Sequence, residues 1–375
     1  MERPPSFSFA DVLWAPGKAL SGKKIVVMTT FLVGALAIWD LFAYLALAVD
    51  GQKLGYIWAV WDFFPLTWFT IKSVAAQAIW ALGGALSILT LMMGFLGVSA
   101  INIEEIRGYP FLSIGGAIRF AFRRVGQLFL SELTLVLFIV FIVAAFAILG
   151  LISRIPIVGE WVYALGFVFP GFVIAILTIF VVAITQISVL LLPATAAADR
   201  RGETFTAIIE TFSTILRHPL RWLGYTAYSL VGAKLAGFVF AYFCYRAVQF
   251  MVFSSGLLGG RERLAELVGS GLARLPIGSQ LVRDTFNVFP GIDWSFSISS
   301  WAWSSQGGGA VSYVMAVMLF VIFASIWGYM LAIVATAQAR GYVAIRYLKD
   351  GYSIAEEDSL FYTDEPVNPP IEEGG

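Results

Sequence analysis

Charge is scarce in this chain. Only 13% of its 375 residues are Asp, Glu, Lys or Arg, against about 25% in an ordinary soluble domain. Most of its surface therefore need not face water. The two signs cancel to a net charge of zero, which removes the basic field that attracts nucleic acid; no nucleic-acid partner is expected. The single cysteine, Cys244, excludes an internal disulfide. The single histidine, His218, excludes a His-rich metal site. It follows Arg217 and precedes Pro219, where capping a helix end or meeting lipid phosphate explains it better than general-base chemistry. No HExxH, CxxC, phosphate loop or Ser/His/Asp arrangement occurs, and Gly307-Gly308-Gly309 carries no Lys-Ser/Thr. No catalytic residue, metal or cofactor is expected, and the chain reads as non-enzymatic.

What is abundant is apolar. Hydrophobic residues make up 59% of the chain and mean hydropathy is +0.84. A hydrocarbon core about 30 Å thick needs about 20 apolar residues in a helix, because no water is there to satisfy the backbone. Six stretches qualify: Ile25–Val49, Ala75–Ala100, Leu128–Ile152, Val162–Leu192, Trp222–Phe250 and Val311–Ala337. The fourth is long enough to tilt or to kink at Pro170. Ala46 and Ala48 form a cleavage-like pattern after the first run. That run is about twice the length of a signal-peptide core, which makes it a retained span.

Lys and Arg give the direction. Arg3, Lys18, Lys23 and Lys24 precede the first span, and Arg107, Arg119, Arg123 and Arg124 follow the second. Arg200, Arg201, Arg217 and Arg221 follow the fourth, and Arg340, Arg346 and Lys349 the sixth. The opposite side holds Lys53, Lys72, Arg154, Arg261, Arg263, Arg274 and Arg283. The positive-inside rule puts both termini in the cytoplasm, with the chain in the bacterial inner membrane.

An internal similarity appears between the spans. RGYPFLSIGGAIRFAFRRVGQLF, from Arg107, aligns without gaps on RGETFTAIIETFSTILRHPLRWL, from Arg201. Arg107, Gly108, Phe111, Ile114 and Arg123 meet Arg201, Gly202, Phe205, Ile208 and Arg217. A third Arg-Gly stands at Arg340-Gly341. Phe111, Ile114, Ile118 and Phe122 fall at helical spacing, as do Phe205, Ile208, Phe212 and Ile215. The expected architecture is an all-α integral membrane protein of about six transmembrane helices in three hairpins, each preceded by a cytoplasmic interfacial helix. The units are 6–106, 107–200 and 201–340 within one transmembrane domain, 1–350. A compositional likeness between basic linkers is the alternative to a true repeat. Arg119, Arg123, Arg124, Arg217 and Arg221 are positioned for anionic lipid headgroups.

The 254–310 segment is the one sizeable external loop. Leu264, Leu267, Val268, Leu272 and Leu275 fall on roughly one face of a helix that either lies on the outer leaflet or covers the bundle. Trp294, Trp301 and Trp303 read as interfacial anchors. The aromatic run YIWAVWDFFPLTWF, between the first two spans, fits a re-entrant or interfacial segment. The tail 351–375 is acidic and Pro-bearing, and is expected to be partly disordered in the cytoplasm.

Ionisable residues inside a span are costly and suggest function. Asp40 lies about 22 Å along the first span and Lys234 about 18 Å along the fifth, at 1.5 Å per residue. The two charges can pair at comparable depth; alternatively Asp40 reaches outward and Lys234 lines a wet crevice. No chain of Asp, Glu and His crosses the bilayer, which disfavours a proton pump.

At FTAIIETFSTILRHPLRWLGYTAY, Phe205 to Tyr228, the chain resembles uncharacterised bacterial polytopic membrane proteins that repeat an amphipathic helix and a transmembrane hairpin. It is similar there to the membrane domain of glycerophosphodiester phosphodiesterases. YVAIRYLKDGYSIAEED, Tyr342 to Asp358, resembles the cytoplasmic ending of some such proteins. The resemblance implies architecture and a membrane role. It carries no catalytic residue, since no soluble phosphodiesterase domain is present. The expected function is a non-enzymatic scaffold or subunit of a larger membrane complex, with lipids and other membrane subunits as partners. The alternative is a transporter or channel for a small or lipidic substrate.

Overall fold

A computed structural model describes residues 8–61, 65, 71–258, 260–273 and 309–361. Among the described residues there are helices and no strand. Two short helices, α1 (Phe9–Leu13) and α2 (Ala15–Ala19), lead into α3 (Gly22–Val49). Then come α4 (Leu54–Trp61), α5 (Val74–Ile106), α6 (Ile114–Arg123), α7 (Val125–Ile152) and α8 (Val158–Gly166). A kinked stretch, Phe167–Phe172, joins α8 to α9 (Val173–Ala198). The chain continues through α10 (Thr204–Arg217), α11 (Pro219–Ser255), α12 (Arg261–Ala273) and α13 (Ala310–Asp350).

Among the described residues six helices are long and apolar enough to cross a membrane: α3, α5, α7, the segment Phe169–Ala198, α11 and α13. They overlap the six stretches read from hydropathy, and the fourth changes in outline. The fourth stretch is not continuous from Val162. Phe169 is extended (φ −142°, ψ 115°) just before Pro170, which has no N–H to carry a helix forward, so the long helix starts there and α8 stands apart.

The chain divides into two compact units. One comprises 1–15, 95–229 and 335–375. In it α7 packs on α9, and α10 packs on both. Polar side chains join its long helices: Asn102 Nδ2 donates to Thr336 Oγ1 at 3.1 Å, Trp222 Nε1 to Gln338 Oε1 at 3.2 Å, and Gln338 Nε2 to Thr226 Oγ1 at 2.9 Å. Such bonds favour helix association where apolar contact alone has no water to escape.

The other unit comprises 16–94 and 230–334. Its helices approach through small residues. A Cβ on Gly328 of α13 would stand 2.1 Å from Thr29 Oγ1 of α3, a gap only glycine leaves. Trp39 of α3 meets Trp80 of α5 edge-on at 5.0 Å between ring centres. The Asp50 carboxylate accepts backbone N–H bonds from Lys72 (3.1 Å) and Ser73 (2.8 Å), fixing the approach to α5. The aromatic run becomes the short helix α4 at its start; 62–64 and 66–70 lie outside the described residues. In the external segment α12 forms where its apolar spacing predicts. Val268 is buried and Gly271 lies close against Met315 of α13, so the helix covers this unit. Trp294, Trp301, Trp303 and Leu275 lie outside the described residues.

Candidate functional site

The densest polar chemistry lies in the first unit, where α5, α9, α10 and α13 end. α9 stops at Asp199, whose carboxylate accepts N–H bonds from Arg201 (3.0 Å) and Glu203 (2.8 Å) and from the Gln127 side chain (3.0 Å). This local wrapping turns the chain into α10. Gly202 within the turn has φ +75°, a region that L side chains rarely adopt. Gly108, its partner in the aligned Arg-Gly pair, has φ +92° after α5. The third dipeptide, Arg340-Gly341, differs: it lies inside α13, and the left-handed glycine after that helix is Gly351.

A second cluster joins the end of α5 to the segment after α13. Arg107 pairs with Glu104 at 2.9 Å and with Glu357, and all three are buried. Glu104 also accepts from the Ser359 hydroxyl and from the Leu360 backbone N–H (3.2 Å). Arg200 donates to the Asp358 carbonyl at 3.2 Å. The first part of the acidic tail, to Phe361, is thus packed in place, and Ile354 is fully buried; residues 362–375 lie outside the described residues. Burying three charges together is tolerable because each is met by opposite charge or a hydrogen bond.

Between these clusters opens a cavity of about 370 Å³. Its walls come from the end of α9, the turn, α10, the last turns of α13 and the docked segment. Arg200, Arg201 and Arg346 line it with Asp199, Glu203, Glu210 and Glu357, and with Tyr342 and Tyr352. Lys349 pairs with Glu210 at 2.6 Å, and the Arg346 guanidinium lies 5.3 Å over the Tyr352 ring. The Thr195 and Thr211 hydroxyls bond at 2.9 Å and tie α9 to α10 behind it.

The residues singled out by sequence fall in different places. Arg119, Arg123, Arg217 and Arg221 are exposed at helix ends. Arg124 is half-buried instead and donates to the Asp199 (3.2 Å) and Arg200 (3.0 Å) carbonyls. Asp40 on α3 and Lys234 on α11 are both half-buried and belong to the second unit. His218 stands at the C-cap of α10. The expected apolar stripes are partly shifted. Phe111 just before α6, and Ile114 and Phe122 on it, are exposed while Ala117, Phe120 and Ala121 are buried. On α10, Phe205, Ile209 and Leu216 are exposed, and Ile215 joins Ala207, Thr211 and Thr214 on the buried face.

Sequence reasoning read Arg107 and Arg346 as cytoplasmic cations, without partners, and did not single out Glu104 or Glu357. The i, i+3 spacing of Glu104 and Arg107 after an apolar span was an available signal. Glu357 had none, since it looks like every other acid of its tail. Among the described residues no group of three or more His, Cys, Asp or Glu is set to hold a metal ion. Comparison with protein-family models, with curated proteins and with solved structures gives no match for this chain.

Proposed function

We propose that this chain is a non-enzymatic multi-pass protein of the bacterial inner membrane, with both termini cytoplasmic, that serves as a scaffold or subunit of a larger membrane complex. The observation that carries this reading is the bareness of two spans. In α7 the most apolar window has a mean hydropathy of 3.3 with 6% of it buried, and in the Phe169–Ala198 span 17% is buried. Phe129, Phe138, Phe141 and Phe180 stand exposed along them. Lipid tolerates such a flank, and large aromatic rings suit contact with another membrane subunit.

On this reading the six spans form three hairpins, and α6 and α10 lie in the cytoplasmic interface. Their exposed Phe and Ile residues enter the acyl region while Arg119, Arg123, Arg217 and Arg221 meet anionic headgroups. The matching left-handed glycines after α5 and α9, Gly108 and Gly202, support a repeat between the units 107–200 and 201–340. Purification in mild detergent tests the function: a stoichiometric membrane partner is expected, and a lone monomer counts against it. Cysteines placed near the two ends should label only from the cytoplasmic side.

A transporter or channel is the second reading, favoured by the helix break at Phe169 and by the half-buried Asp40 and Lys234. Liposome flux that Asp40→Asn and Lys234→Met leave unchanged would remove it. If the two residues pair, Asp40→Lys with Lys234→Asp should recover more folded protein than either single change.

A further inference from the structure

We propose that the cavity between α9, α10 and α13 binds a phosphate-bearing anion through Arg200, Arg201 and Arg346. This goes beyond the scaffold reading, because it assigns a ligand site to one unit whatever that unit assembles with. The argument begins with the carboxylates on the cavity wall, which are already engaged. Asp199 is held by two backbone N–H groups and Gln127, Glu203 accepts from Thr206 Oγ1 at 2.9 Å, Glu210 holds Lys349, and Glu357 holds Arg107.

The arginines are not matched in the same way. Each guanidinium has five N–H donors in a planar fork. Arg201 is 81% exposed and its ion pair with Glu203 spans 3.9 Å; Arg346 lies 3.7 Å from Glu357; Arg200 gives one bond to a backbone carbonyl. Even with the Tyr342 hydroxyl bonded to Arg346, the guanidinium N–H groups outnumber the bonds made to them around a space of about 370 Å³, large enough for a phosphate and its substituent. The first turn of α10, which opens onto the same space, has no side-chain cap, so its N–H groups and dipole add to the pull on an anion. Phe205 and Ile209, exposed on α10, flank Thr206 and Glu210 of the cavity wall, which suits a phospholipid whose headgroup enters while its chains stay outside.

The test uses the full chain in detergent. Native mass spectrometry measures retention of phosphatidylglycerol against phosphatidylcholine, and thermal shift measures the effect of inorganic phosphate. The variants are Arg200→Gln with Arg201→Gln, Arg201→Gln alone should the double change fail to fold, and Arg154→Gln on the other side as a control. The wild type should prefer phosphatidylglycerol, and the double variant should bind it about tenfold more weakly, the scale of a lost charge-assisted bond. Loss of the phosphate-induced shift with unchanged lipid retention would identify a soluble phosphate compound as the source. Wild-type behaviour of the Gln variants toward both probes overturns the proposal. A scaffold role would survive that result, since partner co-purification is read separately.

Discussion

Two regions of the first unit solve opposite problems. At the ends of α5, α9, α10 and α13, buried charges are tied by ion pairs and short-range hydrogen bonds, and even a tail segment is recruited to complete them. A few turns away α7 and α9, which pack on each other, leave Phe, Leu and Ile exposed on their outer faces. The difference teaches which groups need a protein partner when the solvent is lipid. An apolar helix face is satisfied by acyl chains, whereas a guanidinium removed from water must find its acceptors within the fold.

The largest test of that contrast is Arg107→Ala. It leaves Glu104 without its cation and Glu357 with only Arg346 at 3.7 Å, and should cost about 3–5 kcal/mol in detergent unfolding. Next is Phe138→Arg on the bare face of α7. If lipid covers that face, membrane insertion should worsen by about 2.5–3.5 kcal/mol in a translocon assay, whereas Phe138→Leu should change little. Unimpaired insertion of the Arg variant would mean that a polar environment covers α7.

Gly202→Val should cost about 1–3 kcal/mol, because φ is +75° and a Cβ there would stand 2.0 Å from Arg124 Nη1. Gly150→Ala in α7 meets nothing within 4 Å and should be neutral or stabilising by at most about 1 kcal/mol. Equal thermal shifts for these two would erase the distinction between the regions. Lys349→Met at the Glu210 pair should cost no more than about 1 kcal/mol, because Glu210 is partly exposed.

The same contrast explains what could be read from the sequence. Spans are legible because one solvent demands one pattern: about 20 apolar residues leave no other way to satisfy the backbone. Their ends are not. Hydropathy stops the second span at Ala100 and the sixth at Ala337, but α5 runs on to Ile106 and α13 to Asp350. The extensions carry Asn102, Glu104, Gln338 and Arg340, polar groups that hydropathy counts against burial and that the fold nevertheless buries. The amphipathic helices were legible as helices, but their apolar spacing did not separate Ile215, which is buried, from Phe205, which is exposed. On α10 the inner face is built from Ala207 and the Thr211 and Thr214 hydroxyls, which periodicity counts as polar and outward. The cavity was beyond reach, since Arg200 and Arg346 meet only after α13 has returned to α10, more than a hundred residues later.

Arg124 carries a consequence for how this surface is felt from outside. Its cation is sequestered by the carbonyls of Asp199 and Arg200, just as Arg107 is neutralised by two glutamates. Of the four arginines in the 107–124 linker, only Arg119 and Arg123 therefore stand exposed for direct contact, half of what a count suggests. Direct headgroup contacts should scale with that reduced number, while the two withdrawn cations act as internal rivets.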